Sequence, residues 1–259
     1  MTGMQGSPDF ARAELARQGK SGSVRADEVA RFDRLAAQWW DPAGPMRALH
    51  DMNPLRVGWI DARIPAGSRI LDVGCGAGLA SEALAGLGHA VLGLDAAPEA
   101  IVAARAHGDG RGLPLEYQAG AAEELVAEGR TFPVITALEV IEHVSDPGTF
   151  LGLMAALLEP GGRLFVSTLN RTARSLVVAK WGAEYVLRML PVGTHEWGRF
   201  VTPGELGAQG RRAGLRLAAT AGMTWSSGMT WSSRPRTLME GRWALSRDLS
   251  INYIAMLTK

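Results

Sequence analysis

A chain of 259 residues, 47% hydrophobic and 20% charged, is long enough to bury a full core and lacks the charge-rich, weakly hydrophobic composition of a disordered protein. Its 27 basic and 26 acidic side chains leave a formal net charge of +1, so nothing in the overall balance argues for nucleic acid as a partner. A single cysteine, Cys75, excludes an internal disulfide, and no run reaches the roughly 18 uncharged apolar residues of a membrane span, so a reducing, cytoplasmic setting is expected.

Residues Met1 to Ser23 mix small and polar types and predict a flexible tail, with 24–259 forming one domain. From Asp27, Val29, Phe32, Leu35, Ala36 and Trp39 recur at helical spacing until Asp41-Pro42 stops them. A second helix is expected to follow Asn53-Pro54 and run to about Ile64. Short apolar runs then alternate with helical segments. Strands are predicted at Arg69–Val73, Ala90–Leu94, Leu115–Gln118, Val134–Leu138 and Arg163–Ser167, and helices at Leu79–Leu87, Pro98–His107 and Pro147–Leu158. That alternation implies an α/β fold, a doubly wound and mostly parallel sheet with right-handed crossovers. Residues Asn170–Trp197 form an apolar, arginine-studded insertion, followed by a helix at Pro203–Ala213 and strands near Arg216–Ala221 and Ile251–Leu257. Seven strands result, with N-terminal helices and a helical lid insertion over 168–200. The hexapeptide Gly222-Met-Thr-Trp-Ser-Ser227 recurs unchanged as Gly228–Ser233, and two copies read as a local duplication lengthening one loop.

The most informative segment is Ile70-Leu-Asp-Val-Gly-Cys-Gly-Ala-Gly-Leu79, an apolar strand running into Gly74, Gly76 and Gly78 and then a helix. In a doubly wound sheet this turn lies at the carboxyl edge, where ligands bind, and glycine lets a backbone approach a ligand closely. The spacing, preceded by Asp72, is not the one that seats a pyrophosphate on a helix N-terminus, which favours a cofactor without phosphates. Asp95 ends the second strand, where a carboxylate can accept from both hydroxyls of a ribose, and a further acid, Glu123, follows the third. This combination resembles the class I methyltransferases. The resemblance implies S-adenosylmethionine as cofactor, its ribose on Asp95, its methionine portion over Gly74 and Gly76, and Leu138 at its flank.

After the fourth strand the chain has neither the [DN]-P-P-[YF] motif that grips a base amino group nor a Pro-Cys nucleophile, so base methylation is disfavoured. It reads Leu138-Glu-Val-Ile-Glu-His143 instead. On a helical turn Glu139, Glu142 and His143 share one face, and such a set suits a hard divalent cation such as Mg²⁺ that would acidify a catechol hydroxyl. Equally, acid and histidine can contact the cofactor, or His143 can act as general base with Glu142 beside it.

The segments Arg31-Phe-Asp, Gln38-Trp-Trp-Asp41, Asn53-Pro-Leu-Arg56, Glu139-Val-Ile-Glu-His-Val144, Ser167-Thr-Leu-Asn-Arg171, Ala183-Glu-Tyr185, Gly193-Thr-His195 and Asn252-Tyr253, in this order, resemble the UbiG-type O-methyltransferases of ubiquinone biosynthesis from Asp27 onward. The resemblance implies methylation of polyprenylated phenols and catechols, 2-polyprenyl-6-hydroxyphenol and 3-demethylubiquinol. It also implies an Arg56 that contacts the cofactor carboxylate, and a divalent metal at Glu139, Glu142 and His143 as in eukaryotic relatives. Membership of a ubiquinone-biosynthesis complex belongs to the same expectation. The loop with the duplicated Trp-Ser-Ser units and Arg234-Pro-Arg236 departs from the family pattern. Two other readings remain: a soluble methyltransferase for another phenolic metabolite, and a cofactor-binding partner subunit without catalysis.

Arg171 to Leu190 joins Trp181, Tyr185 and a run of aliphatic residues to Arg171, Arg174, Lys180 and Arg188 against Glu184 alone. Taken alone it reads as a lid helix packed on the sheet edge. With a polyprenyl acceptor it reads as an interfacial element touching anionic lipid, which implies peripheral association with the inner membrane.

Overall fold

In a computed structural model of the chain, which describes residues 23–176, 197–226 and 242–259, the apolar runs become strands of one sheet. β1 (Arg69–Val73), β2 (Ala90–Asp95), β3 (Leu115–Ala119), β4 (Phe132–Leu138) and β5 (Leu158–Leu169) pair in parallel. β6 (Arg216–Ser226), β7 (Arg242–Ser246) and β8 (Asn252–Thr258) add antiparallel pairs, giving the order β3-β2-β1-β4-β5-β8-β6-β7. The order reverses at β1, so the loops leaving β1 and β4 diverge there and open a crevice at the carboxyl edge.

Successive residues of a strand point to opposite faces, and here both faces are apolar. Leu71, Val73, Leu92, Leu94, Ile135 and Ala137 pack on one side with residues of α5 (Ala122–Ala127), α6 (Pro147–Leu157) and α7 (Pro203–Arg212). Ile70, Val91, Val134, Phe165 and Ile254 pack on the other with Val57, Trp59 and Ile60 of α2 (Arg47–Asp61) and Leu84 of α3 (Leu79–Gly86). α1 (Ala26–Leu35) and α4 (Pro98–Gly108) adjoin near the β2–β3 edge. Two helix starts are written locally. Asp146 accepts from the Thr149 N–H at 2.6 Å ahead of Pro147, and Thr202 and Glu205 form a reciprocal capping box ahead of Pro203.

The α/β, mostly parallel architecture agrees with expectation, but the sheet has eight strands where seven were expected. β6 continues into the first hexapeptide copy, whose Gly222–Ser226 pairs with Ser246–Arg242 of β7. A five-residue strand at a sheet edge leaves too short an alternation to read from sequence; the second copy, 228–233, lies outside the described residues. α2 begins at Arg47 and carries Pro54 inside it, because burial of Met52, Asn53, Arg56, Val57, Trp59 and Ile60 outweighs the one bond proline cannot make. Residues 1–22 of the expected tail and 177–196 of the expected lid lie outside the described residues. Among the described residues no helix is long and apolar enough to cross a membrane.

One polar group lies between the layers. Asp72 of β1, only 2% exposed, accepts from Ser81 Oγ of α3 and from Thr136 Oγ1 of β4, both at 2.6 Å. Replacing it with alanine strands two buried hydroxyls, so Asp72→Ala should lower stability by about 2–4 kcal/mol in urea unfolding. A loss below about 1 kcal/mol would show that the network is not what joins these elements. Asp146→Ala should cost about 1 kcal/mol at neutral pH. The backbone hydrogen bond from Thr149 holds the Asp146 carboxyl below its ordinary value. Its contribution is therefore present above the ordinary carboxyl pKa and fades as pH falls through the lowered one, so melting curves of the two proteins should converge in strong acid.

Candidate active site

Beyond Val73 the chain must turn sharply to enter α3, and it does so with φ of 68° at Gly74, 54° at Gly76 and 90° at Gly78. The N–H groups of Gly74 and Cys75 donate to the Leu94 carbonyl at 2.8 and 3.2 Å, which clamps the turn to the end of β2. There Asp95 accepts from the Gly76 N–H at 2.7 Å and the Ala97 N–H at 2.8 Å. Burial pushes the Asp95 carboxyl up, against the pull of those two bonds. Neighbouring side chains occupy the room that a Cβ would need: Val140 Cγ2 would lie 2.5 Å from one at Gly74, the Trp39 indole would overlap one at Gly76, and the Tyr117 hydroxyl one at Gly78. The turn is thus bare backbone on all three counts.

Around it stand polar groups that the protein leaves unsatisfied. Asn53 donates through Nδ2 to the Leu79 carbonyl at 2.9 Å, while its Oδ1 is buried without a partner. Arg56, 3% exposed, donates to the Leu49 carbonyl at 3.3 Å and faces Glu139 at 3.7 Å, with Nε unpaired. Trp39 Nε1 is likewise buried and unpaired. Glu123 accepts from the Ser23 N–H at 2.7 Å through Oε1 and keeps Oε2 unpaired. Buried polar atoms are costly to leave bare, and this mixture of orphan donors and acceptors fits a ligand carrying a carboxylate, an ammonium and an amine, as S-adenosylmethionine does. Leu138 ends β4 half-buried. Asp72, like Asp95, has both of its oxygens engaged inside the protein. Cys75 is buried between Asp72 and Asp95, and burial first, then those two carboxylates, raises its thiol pKa well above the usual value.

The Glu139–His143 segment is not the expected helical turn. Glu139 takes φ of 57°, alone among the described non-glycine residues, and each of the three side chains turns to a different partner. Glu139 Oε1 accepts from Ser167 Oγ at 2.7 Å, Glu142 Oε2 accepts from Thr168 Oγ1 at 2.9 Å, and His143 Nδ1 lies 3.2 Å from Glu28 Oε2. Among the described residues no three such side chains gather as a ligand set. As arranged, these residues do not fit a divalent ion. Glu142 is 3% exposed with Oε1 unpaired; burial, then the nearby Glu139, pushes its carboxyl up. For His143 burial lowers the pKa, but the Glu28 and Glu142 carboxylates outweigh it and the net shift is upward.

The structure therefore brings Gly74, Gly76, Asp95, Arg56 and Leu138 to one strand edge with Glu142 and His143. It adds Trp39, Asn53, Ser167 and Thr168, for which sequence reasoning assigned no role although all four fall in the motif segments quoted above. His195 lies outside the described residues.

A family model described as a methyltransferase domain matches residues 46–220. Ubiquinone biosynthesis O-methyltransferases of Azorhizobium caulinodans and Parvibaculum lavamentivorans are 44% and 42% identical, over 92% and 94% of this chain and 94% and 97% of theirs. That of Xanthomonas axonopodis pv. citri is 43% identical over 93% of this chain and 97% of its own. In solved structures, magnesium protoporphyrin IX methyltransferase from Synechocystis PCC 6803, with S-adenosylhomocysteine bound, superposes with a TM-score of 0.59 at 18% identity over 96% of this chain and 99% of that one. A SAM-dependent methyltransferase of Thermotoga maritima gives the same score at 16% identity, over 88% of this chain and 98% of that one. The solved structures share the fold, and identity above two-fifths along nearly the whole of both chains carries the rest: this chain belongs to the family of ubiquinone biosynthesis O-methyltransferases and is an S-adenosylmethionine-dependent enzyme.

Proposed function

We propose that the chain methylates a ring hydroxyl of polyprenylated phenol and catechol intermediates of ubiquinone biosynthesis, with His143 as general base. The observation that carries this reading is the packing of Val140 against Gly74, which sets the Glu139–His143 turn directly beside the glycine cradle. An imidazole and a buried carboxylate thus adjoin the place where the cofactor is held. Bound S-adenosylmethionine supplies a methyl group already activated by a positively charged sulfur. What remains for the protein is to fix the acceptor and remove its proton.

Each residue has a part in this. The exposed backbone at Gly74, with Gly76 buried beside it against Trp39, admits the methionine portion, and the unpaired Nε of Arg56 is available to its carboxylate. Asp95 takes the ribose hydroxyls, Glu123 presents its unpaired oxygen toward the adenine end, and Leu138 borders the cofactor. His143 accepts the hydroxyl proton, and Glu142, hydrogen-bonded by Thr168 and with its carboxyl pKa pushed up by burial, lies beside the imidazole. Asp72 acts from beneath, by holding the strand ends in register.

The acceptor's tail calls for a lipid surface, and the composition of 168–200 supports peripheral contact with an anionic bilayer through Lys180, Trp181, Tyr185 and Arg188. Arg171 and Arg174 count for less than the sequence suggested. The first pairs with Glu205, and the second lies 2.6 Å from Asp248.

Asp95→Ala should weaken cofactor binding by about 1–3 kcal/mol in calorimetry, and unchanged affinity with an intact fold would remove the ribose assignment. Transfer of labelled methyl should favour a long-chain over a short-chain prenyl catechol only when anionic liposomes are present. Neutralising Lys180 and Arg188 should weaken liposome binding by about 1 kcal/mol per charge. Equal transfer to soluble phenols, insensitive to liposomes, would point instead to a soluble phenolic acceptor.

A further inference from the structure

Glu28 belongs to α1, far along the chain from the strand end it reaches. Its Oε2 stands 3.2 Å from His143 Nδ1, each side chain being 16% exposed, and Arg31 Nη1 lies 3.6 Å from the same oxygen. Four residues further along the helix, and so on the same face, Phe32 meets the imidazole edge-on, with ring centroids 5.4 Å apart at 87°. One helix face therefore holds the ring both at a nitrogen and across its plane.

The helix is fastened where this matters. Val24 forms an antiparallel bridge with Val144, the Ser145 N–H donates to the Ser23 carbonyl at 2.9 Å, and the Glu99 N–H donates to Asp33 at 3.1 Å. Setting a carboxylate in so enclosed a place costs free energy that an apolar residue would not, unless the charge has a task. Among the described residues only Nδ1 of the His143 ring is engaged. The contact is an ion pair, with Oε2 left without a formed hydrogen bond, and the carboxylate charge beside Nδ1 favours the neutral ring that carries its hydrogen there and its lone pair on Nε2.

We propose that Glu28 is a positioning residue for the methyl transfer, holding His143 in the Nδ1–H tautomer so that Nε2 is presented to the acceptor hydroxyl. This rests on the reading of His143 as the base. In the step itself the hydroxyl proton passes to Nε2 and the oxygen lone pair forms the new C–O bond. The methyl–sulfur bond breaks and its electron pair returns to sulfur. The imidazolium so formed keeps its Nδ1–H toward the Glu28 carboxylate, which favours the charge as it develops.

The test compares wild type, Glu28→Gln, Glu28→Asp and His143→Gln by steady-state kinetics, cofactor calorimetry and ¹⁵N spectra of histidine-labelled protein. The His143 signals are those missing from His143→Gln. At a pH where the ring is neutral, wild type should show a protonated Nδ1 and a bare Nε2. Glu28→Gln should shift the ring toward the Nε2–H form and lower kcat roughly tenfold or more, with cofactor affinity within about twofold of wild type. Glu28→Asp, which restores the carboxylate, should recover part of both. If His143→Gln is slow while Glu28→Gln keeps full kcat and an unchanged tautomer, the positioning role is overturned and the base survives. If His143→Gln itself keeps full rate, the base reading fails and the role of Glu28 falls with it.

Discussion

The crevice depends on a carboxylate that never meets water. Asp72 is borne on β1, bonded by a hydroxyl from α3 and another from β4, and shares its field with the buried Arg56 guanidinium. An uncompensated carboxylate in such a place would cost several kcal/mol, so the three elements are free to move apart only at that expense. Their fixed spacing has a direct effect at the sheet edge. β1 releases the glycine turn and β4 releases the Glu139–His143 turn, and the two meet at Gly74 and Val140 because the strands beneath them are held in register.

Above the edge, the segment from Ser23 to Trp40 forms a roof of a different character. None of the ten residues of α1 is fully buried, so the segment is held by particular contacts more than by a core. Those contacts fall on the site itself: Ser23 on Glu123, Val24 on Val144, Glu28 on His143, Trp39 on Gly76, and Trp40 Nε1 on the Ala77 carbonyl at 3.0 Å. An element with few buried apolar contacts opens at lower free energy than the sheet below it. The indole of Trp39, which lies against the glycine turn, belongs to this element.

What could be read in advance follows from range. Of the first four parallel strands, β1, β2 and β4 are mostly apolar runs buried on both faces and β3 is a half-exposed edge strand, and the bounds of all four in sequence and structure agree within two residues. The glycine turn and Asp95 were legible because a strand-turn-helix with positive φ leaves a local trace. Glu139 leaves none: its spacing to Glu142 and His143 is that of a helix, and only the left-handed step after β4 shows that the turn is not one. Pairings between distant segments were equally hidden. Arg171 with Glu205, Arg174 with Asp248 and Glu28 with His143 join residues whose proximity is a product of the fold, so no pattern along the chain announces them. Arg174 in particular looked like a cation offered to lipid until its partner was seen. β7 fell between these cases, too short to show a period and recognisable only by its pairing with β6.

If the glycine turn seats S-adenosylmethionine as proposed, Cys75 sits beside an alkylating agent. A thiolate there would be a stronger nucleophile than any phenol, and each turnover would risk irreversible loss of the enzyme through S-methylation of its own turn. The surroundings oppose this. Burial together with the negative charges of Asp72 and Asp95 keeps the sulfur protonated, and its hydrogen points toward the Gly76 carbonyl, 3.5 Å away. On that proposal the two acids also passivate the turn, since they and burial disfavour the thiolate beside a reactive sulfonium.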